Sequence, residues 1–463
     1  MTKLKNSSFV RVFHSFGSKK IWAIAILAMA DVLSMTLPFY LKNVFSNIHT
    51  EFGISEGKFT SALAIYGYVL LPSYLFGGYL ADKVSLKLLI VSGLAMIGGV
   101  GFWYGAIPFM QGTEEAIFSQ LVAIFVIWGL ATGFIFWSAL WKLLSQQATD
   151  KQQGTVNGLL GSINGLFGAL IVGFSYAIYF ILKATSLDNW AFPALCWVLS
   201  ATALIVCVLT MLFVEEKQKT KAFAFKWDEL RLIIGNIKVW LVTLLILGVY
   251  MFQSGLSVFI NYLENSLKVA SVVTFILGIV RTYLSRFAVS SFAGNIADRW
   301  GKCILFITLG LVINSCLILI AIITPGFGTT INNFGAAGKI TIQIIVSAMF
   351  ILLGITCWCL VTNRWAVINE LNIPEKNYGL MVAFISLISF SPDAWFWHIA
   401  SVVYKRYEIV EIVNGKEEKF SSQTGYQIVL TMILVVSLLA VLAGCILLFL
   451  KRKDNKRLKI SAS

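Results

Sequence analysis

A chain of 463 residues that is 58% hydrophobic and only 13% charged, with a mean hydropathy of +0.83, lies outside the range of soluble globular domains and reads as an integral membrane protein. Its formal net charge of +14 would suit a nucleic-acid partner in a soluble protein. Here the bases crowd the segments on one side of the apolar runs, so topology explains most of the excess and no nucleic-acid partner is expected.

The apolar runs are about twenty residues long, which selects helices over barrel strands of roughly ten alternating residues. In chain order they fall near 21–45, 57–81, 88–110, 116–145, 154–182, 190–214, 238–262, 268–292, 303–323, 340–367, 377–404 and 426–450. The first follows Lys3, Lys5, Arg11, Lys19 and Lys20 and is too long for a signal-peptide core, so a mature helix is expected there. Twelve spans put both termini on one side, and Lys19-Lys20 with Lys451-Arg452-Lys453 make that side the cytoplasm. The predicted class is an all-α, multi-pass protein of the cell inner membrane, with twelve transmembrane helices in two six-helix halves. Residues 1–214 form the first half and 238–463 the second, which ends in a short basic tail. Between them, 215–237 is a charged cytoplasmic linker that either lies on the membrane surface through Phe223, Phe225 and Trp227 or is simply solvated.

The turn after the second run reads Gly78-Tyr79-Leu80-Ala81-Asp82-Lys83-Val84-Ser85-Leu86-Lys87. A second copy, Gly294-Asn295-Ile296-Ala297-Asp298-Arg299-Trp300-Gly301-Lys302, follows the eighth run, 216 residues later. Each is a short turn between two spans, carrying a glycine, an acid and bases at matching places. The pair resembles the loop signature of the major facilitator superfamily of transporters, with Lys83 and Ser85 standing where Arg and Gly are usual. The resemblance implies a duplicated secondary transporter that works by alternating access, and a gating role for Gly78, Asp82, Lys83, Gly294, Asp298 and Arg299. Below the superfamily, Phe136 to Lys142, Gln153 to Gly158, Arg281-Thr282-Tyr283, Glu370 to Pro374 and Pro392-Asp393 look like a bacterial branch labelled nitrate/nitrite-porter-like. The fifth run adds Gly154, Gly158, Gly161, Gly165, Gly168 and Gly173, mostly on one helical stripe, which predicts a close helix contact that is either a static seam or a sliding one.

Charges inside the runs point to function, because each costs roughly 2.5 to 3.5 kcal/mol at a bilayer centre and must face a cavity or a partner. Arg281 and Arg286 lie 17 and 12 residues before Asp298, roughly 25 and 18 Å from that turn, which brackets the middle of a bilayer about 30 Å thick. Their directions differ by about 140°, so at most one points straight into a central cavity. Arg281 is the first candidate for substrate contact, and the alternative for either is a pair with an acid on a neighbouring helix. Lys142 and Arg364 sit toward the inner ends of corresponding spans four and ten, where they either bind an anion in the vestibule or snorkel to the interface. Glu370, six residues after Arg364, is a candidate gating partner. Asp31 and Asp393 either carry a coupling proton or pair structurally with the arginines. Pro392 is expected to break its helix and leave carbonyls free to line a cavity.

Four intramembrane cations against two acids favour a small anionic solute, moved with protons or a counter-anion. The alternative is a proton-coupled exporter of amphipathic compounds or drugs, although the proline that such exporters carry among fifth-span glycines is missing between Gly154 and Gly173. No enzyme is expected, since no Gly-Lys-Ser or Gly-Lys-Thr phosphate loop occurs. No metal or other cofactor is expected either: His14, His49 and His398 are scattered and the seven cysteines lie in or beside apolar runs. The expected partners are the lipid bilayer, the solute and its coupling ion, around a monomer.

Overall fold

In the computed structural model the described residues are 17–110, 112–147, 153–216, 227–290, 293, 302–327, 329–371, 378–413 and 416–461. Ten helices among them are long and apolar enough to cross a membrane: Ser18–Asn43, Leu86–Phe109, Glu114–Gln146, Leu159–Lys183, Asp188–Phe213, Ile237–Gly255, Ser271–Ser290, Cys303–Ile323, Ala336–Asn363 and Gln423–Asp454. A further one, second in chain order, is Glu56–Lys83. It bends by 52° just after Pro72, whose ring removes a backbone donor. The eleventh span is broken into Tyr378–Ser389 and Pro392–Arg406. Pro392 ends one ladder and opens the next, as the sequence predicts. These are spans one to twelve below.

The described residues depart from the all-helical expectation at one place between spans eleven and twelve. There Glu408–Val413 pairs antiparallel with Lys416–Ser421, from Glu408 opposite Ser421 to Val413 opposite Lys416. The signal was in the sequence: a β-branched run, Ile409-Val410-Glu411-Ile412-Val413, leads into Asn414-Gly415, a strong hairpin-turn pair. Three spans also contain widened π turns, Thr36–Tyr40, Leu130–Trp137 and Val280–Leu284, and a fourth, Tyr262–Ser266, lies between spans seven and eight. Such turns shift the following side chains off the ordinary helical stripe and recur at functional sites.

The chain folds into two compact units that do not follow the sequence halves throughout. The first holds residues 1–41, 68–223 and 286–291; the second holds 42–67, 224–285 and 292–463. In the first, spans three and six approach closely because Gly98, Gly101 and Gly105 carry no side chain. A β-carbon at Gly105 would stand 2.8 Å from Cβ of Cys196, and one at Gly98 3.0 Å from the Ser200 carbonyl oxygen. Gly161 of the fifth-span stripe makes an ordinary contact with Ser290. In the second unit Gly67 is indispensable: a β-carbon there would run into the backbone of Asp393. Span two and the second piece of span eleven touch backbone to backbone at that point.

Candidate functional site

In the first unit Asp31 of span one is buried, 5% exposed. Asn164 of span five donates Nδ2 to its Oδ2 at 2.6 Å and accepts from Arg286 Nη1 at 2.5 Å through its own Oδ1. Arg286 Nη2 also lies 3.6 Å from Asp31 Oδ2. The amide thus bridges an acid and a base on two other spans, and the buried pair is nearly neutral. Lys142 of span four donates to Asp82 Oδ1 and to the Gly78 carbonyl, so this base clamps the first loop signature. Lys83 lies over the Tyr79 ring at 5.7 Å. The next helix is capped by Glu216, which accepts from Ser85 Oγ at 2.5 Å and from the Leu86 amide at 2.8 Å.

The second unit gathers the other intramembrane charges. Arg281 sits in the π turn Val280–Leu284 of span eight and is 2% exposed. Its Nη2 donates to the carbonyls of Phe252 and Gln253 at 3.2 and 3.0 Å. These carbonyls lie near the end of span seven, where the negative pole of the helix dipole suits a cation. Trp358 Nε1 donates to the Arg281 carbonyl at 2.8 Å. Gly354, on span ten with Trp358, makes room for the stem: a β-carbon there would stand 2.6 Å from Arg281 Cγ. Gln253 also accepts from Arg364 Nη1 at 2.7 Å, so one residue serves both arginines, by its carbonyl and by its side chain. Arg364 stacks over Phe390 and Trp365 at 5.1 and 5.7 Å.

Asp393 is 1% exposed, in the first turn of Pro392–Arg406. Tyr250 and Ser254, four apart on span seven and therefore on one face, donate to its two oxygens at 2.5 and 2.9 Å. Trp397 Nε1 donates to Ser254 Oγ at 3.3 Å, and Lys42 Nζ stands 3.3 Å from the centre of the Trp397 ring. Lys42 is close enough to Asp393 and Arg281 to feel both charges. Glu370 accepts from Lys451 and from the Ile304 amide, so its partner is the start of the basic tail rather than Arg364.

Of the predicted site residues, Asp31 and Arg286 meet in one unit, and Arg281, Arg364 and Asp393 lie in the other. Lys142 belongs to the loop clamp. Gly294, Asp298 and Arg299 lie outside the described residues, as does the side chain of Gln153. Sequence reasoning passed over Asn164, Gln253, Gly354, Tyr250 and Lys42. An Asn deep in a glycine-rich apolar run was a usable signal for the first; Lys42 lies at a span end, where a base ordinarily reaches water.

Between spans one and two lies a short helix, Ile48–Glu51. Its His49 is buried, and burial pushes the imidazole down to about 3 against a backbone hydrogen bond with Lys419. His49 Nε2 has no hydrogen-bond partner among the described residues. It borders a cavity of about 30 Å³ whose wall also includes Lys42, Glu56, Asn261, Trp397 and Tyr404, room for a water molecule or two.

The model of the family described as Major Facilitator Superfamily matches residues 24–394. A Mycoplasma pneumoniae relative, "Uncharacterized protein MG294 homolog", is 30% identical across 97% of this chain and 96% of its own. The Escherichia coli "Inner membrane protein YihN" is 20% identical across 81% of this chain and 86% of its own. Among solved structures, a mutant of the nucleoside transporter NupG overlaps with a TM-score of 0.61 at 13% identity, covering 93% of this chain and all of that one. A bacterial homologue of the human lysosomal transporter Spinster, inward-facing and unoccupied, gives 0.62 at 12% identity, over 95% and 99%. At these identities the two structures speak to the fold alone.

Proposed function

We propose, because this chain belongs to the major facilitator superfamily and is a multi-pass membrane transporter, that it carries a small anionic solute across the cytoplasmic membrane by alternating access, with both termini in the cytoplasm. The observation that supports an anion is the surplus of positive charge around Asp393. Lys42, Arg281 and Arg364 lie in the same unit as Asp393 and outnumber it together with Glu56, the acid that shares a cavity with Lys42, with Arg281 2% and Asp393 1% exposed. Buried charge calls for compensation, and a bound anion supplies it. Arg281 is the contact residue in this reading. Its guanidinium is anchored by two carbonyls, which neutralise none of its formal charge and fix its direction. Arg364 and Lys42 flank it, and Trp397 and Trp358 give the site rigid apolar walls. Asp31 and Asp393 are the candidate coupling carboxylates, and the Asp82–Lys142 clamp and Glu370–Lys451 pair are the cytoplasmic contacts that open and close.

The test is uptake into proteoliposomes of labelled anions, neutral sugars and amino acids, with and without an imposed pH gradient, for wild type and Arg281→Gln. Accumulation of an anion by the wild type, lost in a folded Arg281→Gln protein, is the expected result. Movement of only neutral or cationic amphipathic compounds, or a silent substitution, overturns the anion reading in favour of export.

A further inference from the structure

Glu56 is the first residue of span two and is 2% exposed. Its Oε1 accepts from Asn261 Nδ2 at 2.5 Å, and its Oε2 from Tyr426 Oη at 2.7 Å and from the Ser421 amide at 2.9 Å. Every partner is a donor. The Tyr426 oxygen is itself already taken, because it accepts from Asn265 Nδ2 at 2.8 Å. Such a cage fits an ionised carboxylate, which only accepts; a protonated carboxyl finds an acceptor for its hydrogen only if a donor such as the Asn261 amide turns over. Neutralising Glu56 therefore rearranges the cage and costs it at least one of its bonds.

The cage also holds a piece of backbone in place. Within the second unit, residues 42–67 are tied to later parts of the chain through it and through Glu264, which accepts from Ser46 Oγ at 2.6 Å and Asn47 Nδ2 at 3.3 Å, and from Ser271 and Thr274 on its own side at 2.8 and 2.6 Å. Asn47 and Asn265 exchange two more bonds at 3.0 Å. The small cavity already described lies against Glu56, with the orphaned His49 Nε2 on its wall, so a water molecule can reach the carboxylate.

We propose that Glu56 is a proton-binding site entered through this cavity, and that proton uptake there frees the 42–67 segment and opens the transporter on the membrane face opposite its termini. The proposal goes beyond the anion reading and rests on that reading only for the orientation, in which this face is the outer one. The other titratable and charged groups around the site are Tyr426, Tyr404, Glu408, Glu264, His49, Lys42 and Lys405. His49 is the one among them whose ionisation would favour opening over a similar pH range, because the exposed ring takes a proton that the buried ring refuses.

The probe is a cysteine at Thr60, which lines the same cavity and is 4% exposed. Its rate of reaction with a membrane-impermeant maleimide is read in right-side-out and inside-out vesicles, with labelling of the protein lacking Thr60→Cys subtracted. No transported solute is needed, so failure here is separate from failure of the anion reading. The wild-type background is expected to label about tenfold faster near pH 5 than at neutral pH in right-side-out vesicles. Glu56→Gln should label fast at both, Tyr426→Phe should move the step to higher pH by removing one donor, and His49→Gln should keep the step. A step seen only in inside-out vesicles supports the proton site and reverses the orientation. A flat profile, a step that survives Glu56→Gln, or one that vanishes with His49→Gln overturns the proposal.

Discussion

Gly354→Ala is the smallest change that should disable the Arg281 site, and its size can be worked from the packing. An ideal β-carbon at position 354 would stand 2.6 Å from Arg281 Cγ, 3.2 Å from its Cβ and 3.3 Å from its Cα. Carbon atoms pack at about 3.5 to 4.0 Å, so the nearest contact is short by about 1 Å. The obstacle is the root of the side chain, not its flexible end, so a rotation of the guanidinium does not relieve it. Span eight must move or Arg281 must leave its rotamer, and over-packing of this kind costs about 1 to 3 kcal/mol. Either response pulls Nη2 off the carbonyls of Phe252 and Gln253, its anchors at 3.2 and 3.0 Å. At about 1.4 kcal/mol per factor of ten, the KM for the anion should rise roughly five- to a hundredfold. The assay is concentration-dependent uptake by Gly354→Ala, Arg281→Gln and the double variant, together with their thermal midpoints in detergent. Because both substitutions act on one group, the double variant should transport no worse than Arg281→Gln alone. Gly354→Ala with wild-type KM and midpoint would refute the packing argument, and fully additive losses would show that Gly354 acts elsewhere.

Asn164→Leu should lower the thermal midpoint by removing the bridge between Asp31 and Arg286. Hydrogen bonds to charged groups are worth about 1.5 to 3 kcal/mol each in water-soluble proteins but average about 0.6 in membranes, and the acid and base remain 3.6 Å apart and able to pair. The net loss expected is therefore about 1 to 3 kcal/mol, and an unchanged midpoint would refute the bridging role. His49→Gln should flatten the acid side of the stability profile. The folded ring has its pKa pushed down to about 3 against about 6.5 unfolded, so the unfolded state takes up the proton first and stability falls as pH drops from about 6.5 toward 3. At pH 5.5 this amounts to about 1.4 kcal/mol, read as a midpoint shift present in wild type and missing in His49→Gln. A wild-type midpoint that holds steady over that range would show that the imidazole is not kept neutral.

The twelve spans were legible because a bilayer imposes length and apolarity directly on sequence, and Pro392 marked its own break. The same solvent made Arg281, Arg286, Arg364, Asp31 and Asp393 stand out. What the sequence could not reveal is who pairs with whom. Asp31 meets Arg286 through Asn164, whereas Asp393 takes Tyr250 and Ser254, and nothing in either local stretch distinguishes the two acids. Those choices depend on π turns and glycine contacts that bring distant helices together. Lys42 and Glu56 were missed for a different reason. Charges at span ends usually reach water, and only the folded 42–67 segment shows that here they do not.

Charge balance links the two proposals. Lys42 and Glu56 border one small cavity, and Lys42 in turn feels Asp393 and Arg281. With Glu56 ionised, this neighbourhood holds two carboxylates, Glu56 and Asp393, against three cations, Lys42, Arg281 and Arg364. Cation–π contact with Trp397 at 3.3 Å is worth about 2 kcal/mol when desolvated, less than the several kcal/mol that burial of an ammonium costs. Neutralising Glu56 removes one of the negative charges that offset Lys42. At an effective dielectric of about 20, a charge close by changes the local energy by a few kcal/mol. Proton uptake would therefore open the path and raise the attraction for an anion in the same step. Coupled in this sense, proton and solute enter together, which favours symport over exchange against a counter-anion. Uptake driven by an inward proton gradient in wild type, and gradient-independent in Glu56→Gln, is the corresponding outcome; a Glu56→Gln protein that still concentrates the anion with the gradient would break the link.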